Sequence, residues 1–353
     1  MRLCLNVRFR ARARGLAPVR WLASCLFAGV AVSVISLHDR ALGAYLAFAA
    51  GDALGATAEF MTAGEIACTY KGGLRNIVGG GWLHLKPGQV TDDTQMSLAV
   101  AELMASDLPF NEETLASQLI YAYRRDKRNG YSSRTKHTLE HSWCGKDLLN
   151  VESVEERTSR RSDGSMMRAV PIGLLPAVED VVECATINSA ITHAHPAAIC
   201  ASIGIALASH YAYYNLGDHR DIIGYVRNLM PPLHPRTLPY LGTVDNLNGV
   251  DFVAVLGRYA DYGAPYDDAR PVLGVVLFIL KHCGWNVMEV VDHCVGFGGD
   301  VDTTMSMAVG IAMMNAVIDT TVFTLIDDLE NGRYGRDHIL RVGQTLAKKF
   351  PSP

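Results

Sequence analysis

The amino-acid sequence predicts an all-α protein. Apolar residues recur at helical spacing in every periodic segment, and neither a convincing run of alternating strands nor an internal repeat is present. Ala, Gly and Met occupy the apolar faces, which suits helices that approach one another closely.

The folded part is expected to begin near His38. Asp39 has the chemistry of an N-cap for a helix over 40–50, in which Leu42, Tyr45, Leu46 and Ala49 follow helical spacing, and Gly51-Asp52 then interrupts it. Residues 72–90 are rich in glycine and end in Pro87-Gly88. They read as a long loop, and long ordered loops are often functional. Helices over 92–105 and 111–126 follow, the second capped by Asn111, and the polar stretch 150–163 reads as a loop. Helical patterns return at 178–191, 196–214 and 218–229. Pro231, Pro232, Pro235 and Pro239 exclude one regular element over 230–248. Residues 235–241 have the character of a linker, but no composition change crosses them, so one domain over 38–353 is expected. Helices resume at 250–260, 268–283 and 286–295, and the last long one is 303–318.

Composition narrows the function. Apolar residues make up 49% and charged residues 19% of 353, enough for a substantial core and too ordered a balance for general disorder. The net charge of −4 gives no support to a nucleic-acid partner. Eight cysteines include no CxxC pair, a pattern suited to reduced thiols in a cytoplasmic protein rather than a disulfide framework or zinc site. The first 37 residues differ from the rest. Arg2, Arg8, Arg10, Arg12, Arg14 and Arg20 precede the first acidic residue, and 21–37 is uncharged and apolar. We read 1–37 as an upstream extension outside the fold. The alternative is a signal peptide or a short anchor giving membrane association.

Two segments concentrate acidic and hydroxyl side chains where a loop turns into a helix. In Thr91-Asp92-Asp93-Thr94, one residue would suffice as a helix cap, and two aspartates flanked by threonines exceed that need. In Gly296-Phe297-Gly298-Gly299-Asp300-Val301-Asp302-Thr303-Thr304, carboxylates two apart cannot share a helix face, but a glycine-shaped loop can make them converge. Hard oxygen donors of this kind suit Mg²⁺, Mn²⁺ or Ca²⁺ rather than zinc. Four carboxylates in one place would repel, and two divalent ions would relieve them. Weaker signals are Asp163-Gly164-Ser165-Met166-Met167-Arg168, which is a turn and cap or a backbone surface for a sugar or phosphate with Asp163 as acid or base; Thr192-His193-Ala194-His195-Pro196, whose histidines are buried or contact a ligand from a loop; and Gly51-Asp52-Ala53-Leu54-Gly55 followed by Glu59, where the glycines suggest close packing.

In this order, these five motifs resemble the ADP-ribosylglycohydrolase family, nearest to its members that act on dinitrogenase reductase. The segments that carry the resemblance are DRALGAYLAFAAGDALGATAEFMT, HLKPGQVTDDTQMSLAVAEL, GSMMRAVPIGLL, THAHP and GFGGDVDTTMSMAVGIA, within about 38–320. It implies a compact orthogonal helical bundle with two divalent cations, Mn²⁺ or Mg²⁺. The implied ligands are Thr91, Asp92, Asp93, Asp300, Asp302 and Thr303, with Glu59 beside them. It further implies ligand contacts from Gly164, Ser165, Met166, His193, Gly298 and Gly299, proton transfer by Asp163, and stacking by Tyr262 or Tyr266. Asp92, Asp163, Asp302 and Glu59 are then the expected catalytic residues. The implied reaction is removal of ADP-ribose from an arginine of a modified protein, with ADP-ribosylated dinitrogenase reductase as the expected partner. Val301 stands where threonine is frequent, and no ligation is expected from it. Two rivals stay open: a metal-dependent phosphoester or nucleotide hydrolase, and a catalytically silent ADP-ribose binder.

Overall fold

The long central helix α1 (Arg40–Gly55) organises the molecule. A computed structural model describes residues 40–247, 268–316, 320–332 and 334–352. Among these the protein is all-α, as the sequence predicts, and the sole extended pairing is an isolated bridge between Gly80 and Leu85. The expected helix over 250–260, the N-cap Asp39, the apolar stretch 21–37 and the tyrosines Tyr262 and Tyr266 lie outside the described residues.

After α1 come α2 (Ala63–Thr69), α3 (Asp92–Ala105) and α4 (Glu112–Arg125). Asn111 caps α4 by accepting from the Thr114 N–H, as its position predicts. Next are α5 (Ser133–Glu140), α6 (Gly145–Val151) and α7 (Val154–Ser159), then α8 (Val178–Ala190) and α9 (Pro196–Tyr213). The chain continues through α10 (Ile222–Leu229), α11 (Thr237–Asp245), α12 (Ala269–Cys283), α13 (Val287–Phe297) and α14 (Val301–Met313). It closes with α15 (Thr320–Asp327) and α16 (Arg336–Lys349).

Several boundaries differ from the sequence reading. Gly51-Asp52 does not interrupt α1, because Gly51 faces α14 so closely that a Cβ there would lie 2.9 Å from the Met305 carbonyl oxygen. Residues 150–163 are not one loop: Ser153 and Glu156 form a capping box that starts α7, a signal present in the sequence. The proline-rich stretch contains α11, whose Pro239 sits in the first turn, where its missing N–H breaks no helical bond. Helix α16, missed by the sequence reading, docks on α1 and α3 and buries Ile339, Leu340 and Leu346.

Helix α14 packs along α1 more extensively than any other pair of described elements. Nearly every residue of α1 is buried, as is nearly all of α9, so both are apolar on all faces rather than amphipathic. Arg40–Ala58 is long and apolar enough to cross a membrane by length and composition, yet its apolar window is wholly covered by protein, which makes it the core helix.

Candidate active site

Glycine brings the two acidic motifs together. A Cβ at Gly55, in the last turn of α1, would lie 2.6 Å from the Cα of Asp302, so only glycine lets the start of α14 reach this point. Helix α3 is held from the other side. Asp52 of α1, wholly buried, accepts hydrogen bonds from the backbone N–H and the hydroxyl of both Thr91 and Thr94. The N-termini of α3 and α14 therefore face each other, with Ser306 Oγ 3.5 Å from Asp93 Oδ1.

A cavity opens there. Its acidic wall carries Asp92, Asp93, Asp300 and Asp302, with Thr303 and the half-buried Glu59. Burial pushes the carboxyls of Asp92, Asp93 and Asp302 well above the ordinary range, and neighbouring charges push them further: Asp52 acts first on Asp92 and on Asp93, and Glu59 first on Asp302. Glu59 rises to about 8, through burial and then the charges of Asp300, Asp92 and Asp52. Oε2 of Glu59 and Oδ2 of Asp163 are buried with no hydrogen-bond partner in the protein. Such orphaned oxygens among like charges call for protons or cations. Among the described residues no three His, Cys, Asp or Glu side chains are gathered tightly enough to hold an ion in this conformation.

The middle motif lines the same cavity through Ser162, Asp163, Gly164, Met167 and Arg168, with Asp163 beside Asp300. Burial raises the Asp163 carboxyl well up, and the charge of Asp300 adds to it. Arg168, fully buried, ties this part of the lining together. Its guanidinium donates to Asn188 Oδ1 at 2.8 Å, the Asn188 carbonyl at 2.7 Å, Thr192 Oγ1 at 2.8 Å and the Gly164 carbonyl at 3.2 Å. Thr192 in turn sits 2.8 Å from Nδ1 of His193, which leaves Nε2 beside Gly164 at the cavity. Burial and then the Arg168 charge hold the His193 pKa well below its usual value, so the ring is neutral.

Not every residue singled out in the sequence reaches the cavity. Thr91 is wholly buried as the cap of α3, bonded to Asp52 and to the Asp93 N–H. Ser165 turns into the core against Ser189, and the Met166 side chain is fully buried, whereas Met167 and Arg168 line the cavity in their place. Gly298 and Gly299 grip the segment after Glu59: Phe60 N–H donates to the Gly299 carbonyl at 2.9 Å and Gly299 N–H to the Met61 carbonyl at 2.8 Å. Sequence reasoning missed Phe60, Gly130, Ser132 and Thr135, which also line the cavity. Phe60 has φ of 63°, a conformation that costs a bulky residue about 1–2 kcal/mol. A signal for Gly130 is absent from its neighbours, since its role is spatial: a Cβ there would collide with Asp92 Oδ1.

A second, basic recess meets this cavity at Ser162, a lining residue of both. Arg134, Arg160, Arg161 and His195 surround it. Arg160 is buried and paired with Glu152, yet its Nε has no partner.

A helical frame that pools acidic side chains in a cleft, together with a protonatable acid and a neutral imidazole, is suited to hydrolytic chemistry. The chain belongs to the ADP-ribosylglycohydrolase family, whose family model matches residues 33–313. It is similar to the ADP-ribosyl-[dinitrogen reductase] glycohydrolase of Rhodospirillum rubrum, at 66% identity over 71 residues, 20% of this chain and 24% of that protein. It is similar to ADP-ribosylarginine hydrolase Tri1 of Pseudomonas putida (strain GB-1), at 28% identity over 239 residues, 65% of this chain and 61% of that protein. The matches thus span less than two thirds of either relative's length. A solved ADP-ribosylglycohydrolase-related protein complex is similar with a TM-score of 0.66 at 22% identity, covering 89% of this chain and 99% of that one, a likeness of fold.

Proposed function

We propose that the protein hydrolyses the bond between ADP-ribose and an arginine guanidino nitrogen of a modified protein, with ADP-ribosylated dinitrogenase reductase as its target. The observation that carries this reading is a pair of neighbouring recesses that share Ser162. One is crowded with carboxylates and has two orphaned acidic oxygens, and the other is lined by arginines that suit a diphosphate. The activities for which the two relatives are named, on dinitrogen reductase and on ADP-ribosylarginine, point the same way.

The donor set fits divalent cations. Hard carboxylate and hydroxyl oxygens are concentrated where burial and mutual repulsion leave the carboxylates reluctant to ionise uncompensated. Asp92, Asp93, Asp300, Asp302 and Thr303, with Thr91 if its hydroxyl leaves Asp52, would hold two ions, Mn²⁺ or Mg²⁺, with Glu59 beside them. Bound there, the ions would neutralise the cluster and lower the pKa of water.

The chain's own residues supply the rest. Asp163, kept protonated by burial and by Asp300, holds a proton at its unpartnered Oδ2 for the leaving guanidino nitrogen. Neutral His193 presents Nε2 to the ribose, and Gly164 leaves room for the sugar, since a Cβ there would crowd that imidazole at 3.0 Å. The arginines beyond Ser162 hold the diphosphate.

Purified protein incubated with arginine-, serine- and acidic-linked ADP-ribosyl peptides, with and without Mn²⁺, tests this. Mn²⁺-dependent release of ADP-ribose from the arginine linkage is expected. Release of phosphate in its place, or of nothing, would refute it.

A further inference from the structure

The mouth of the acidic recess carries two aromatic side chains that no step above uses. Phe60 lines the cavity and is 47% exposed, and Trp82 beside it is 71% exposed. Their rings meet edge to face, with centroids 6.0 Å apart and planes at 86°. Large apolar groups left in water next to a cavity mark recognition surfaces. The pair is also held firmly. Phe60 keeps its left-handed backbone because its N–H is bonded to Gly299, and Gly298 lies so near that a Cβ would fall 2.6 Å from the Met61 carbonyl oxygen. Gly81, just before Trp82, has φ of 63° and touches the Ala56 carbonyl closely enough to exclude any Cβ.

Position decides what the pair receives. Arginines line the recess beyond Ser162, and Phe60 lies at the acidic recess directly after Glu59. A ligand whose diphosphate is held by those arginines places its ribose at the acidic recess and the group attached to that ribose at the mouth, beside Phe60 and Trp82. A planar guanidinium stacks on aromatic faces, and a serine or carboxylate linkage offers nothing comparable. We infer that Phe60 and Trp82 form the subsite for the guanidinium of the modified arginine and set the preference for that linkage. The inference rests on the arginine-linked reading proposed above.

The test compares KM for an ADP-ribosylarginine peptide with Ki for free ADP-ribose, which lacks the guanidinium. Trp82→Ala and Phe60→Leu should each raise KM about fivefold, the scale of a partly exposed cation–π contact. Ki should stay within about twofold, and Trp82→Phe should restore KM. Equal rises in KM and Ki, or no change in KM, would overturn the inference while leaving the arginine reading intact. Wild-type protein that fails to cleave the arginine linkage would overturn the reading and this inference with it.

Discussion

Thr91 and Asp52 are hydrogen-bonded across 39 residues of sequence: the Thr91 N–H reaches Oδ2 at 3.0 Å and Oδ1 at 3.3 Å, and its hydroxyl reaches Oδ1 at 2.8 Å. Thr94 adds its N–H at 3.1 Å and its hydroxyl at 2.5 Å. One buried carboxylate inside α1 thus braces the Thr91 cap of α3, which leaves the Asp92 and Asp93 carboxylates free of capping. Asp52→Ala leaves these donors without partners in a site closed to water. Loss of about 2–4 kcal/mol is expected in urea unfolding, together with weakened cation binding, because the start of α3 is no longer held. Unchanged stability would show that the Asp52 network is dispensable.

Asp92→Ala and Asp302→Ala should behave in the opposite way. Both remove a buried carboxylate from a crowd of like charges, so Tm should change by no more than a few degrees. Turnover should fall at least about 100-fold, the scale of lost cation support. Near wild-type kinetics in either variant would remove that residue from the site.

Gly130→Ala probes position alone. The backbone there has φ of 108°, and the added methyl collides with Asp92 Oδ1. Every acidic residue remains, yet activity should drop at least about tenfold as Asp92 is displaced. A fully active Gly130→Ala variant would show that Asp92 tolerates the shift.

The pH dependence of the cation-free protein has a defined sign. Glu59 sits at about 8 in the folded protein against an ordinary 4.5. A raised acid favours the fold below its unfolded pKa, and that contribution is lost as pH climbs through the folded value. Asp92, Asp93, Asp163 and Asp302 act in the same direction. His193, depressed by burial, acts oppositely only below about 6.5, near the ordinary histidine value. Between pH 6.5 and 8, Tm after chelation should therefore fall, and added Mn²⁺ should raise it more at pH 8 than at pH 6.5. A flat or rising Tm after chelation would contradict the crowding of these carboxylates.

Asp163→Ala and His193→Ala separate ligand handling from cation binding. Both residues line the cavity but lie outside the two acid-rich segments, so cation content should persist while kcat/KM falls. Loss of cations in either variant would place that residue among the ligands.

Local chemistry was legible in the chain itself. Helical spacing made the protein all-α, Asn111 announced α4, and two acid-rich segments at helix starts pointed to one site. Those signals are local because helix periodicity and capping act within a few residues. The tertiary structure decided what depends on distant partners. Whether Gly51 breaks a helix or lets α14 approach depends on Met305, more than 250 residues on, and that contact keeps α1 intact. That Asp52 holds the Thr91 cap of α3, whether Ser165 or Arg168 faces the cavity, and whether Gly130 backs Asp92 follow from which side of a helix or turn meets which neighbour. A sequence pattern shows which residue types can do the chemistry. Close packing of α1, α3 and α14 selects the ones placed to do it, because buried polar groups must find partners that only the fold brings within reach.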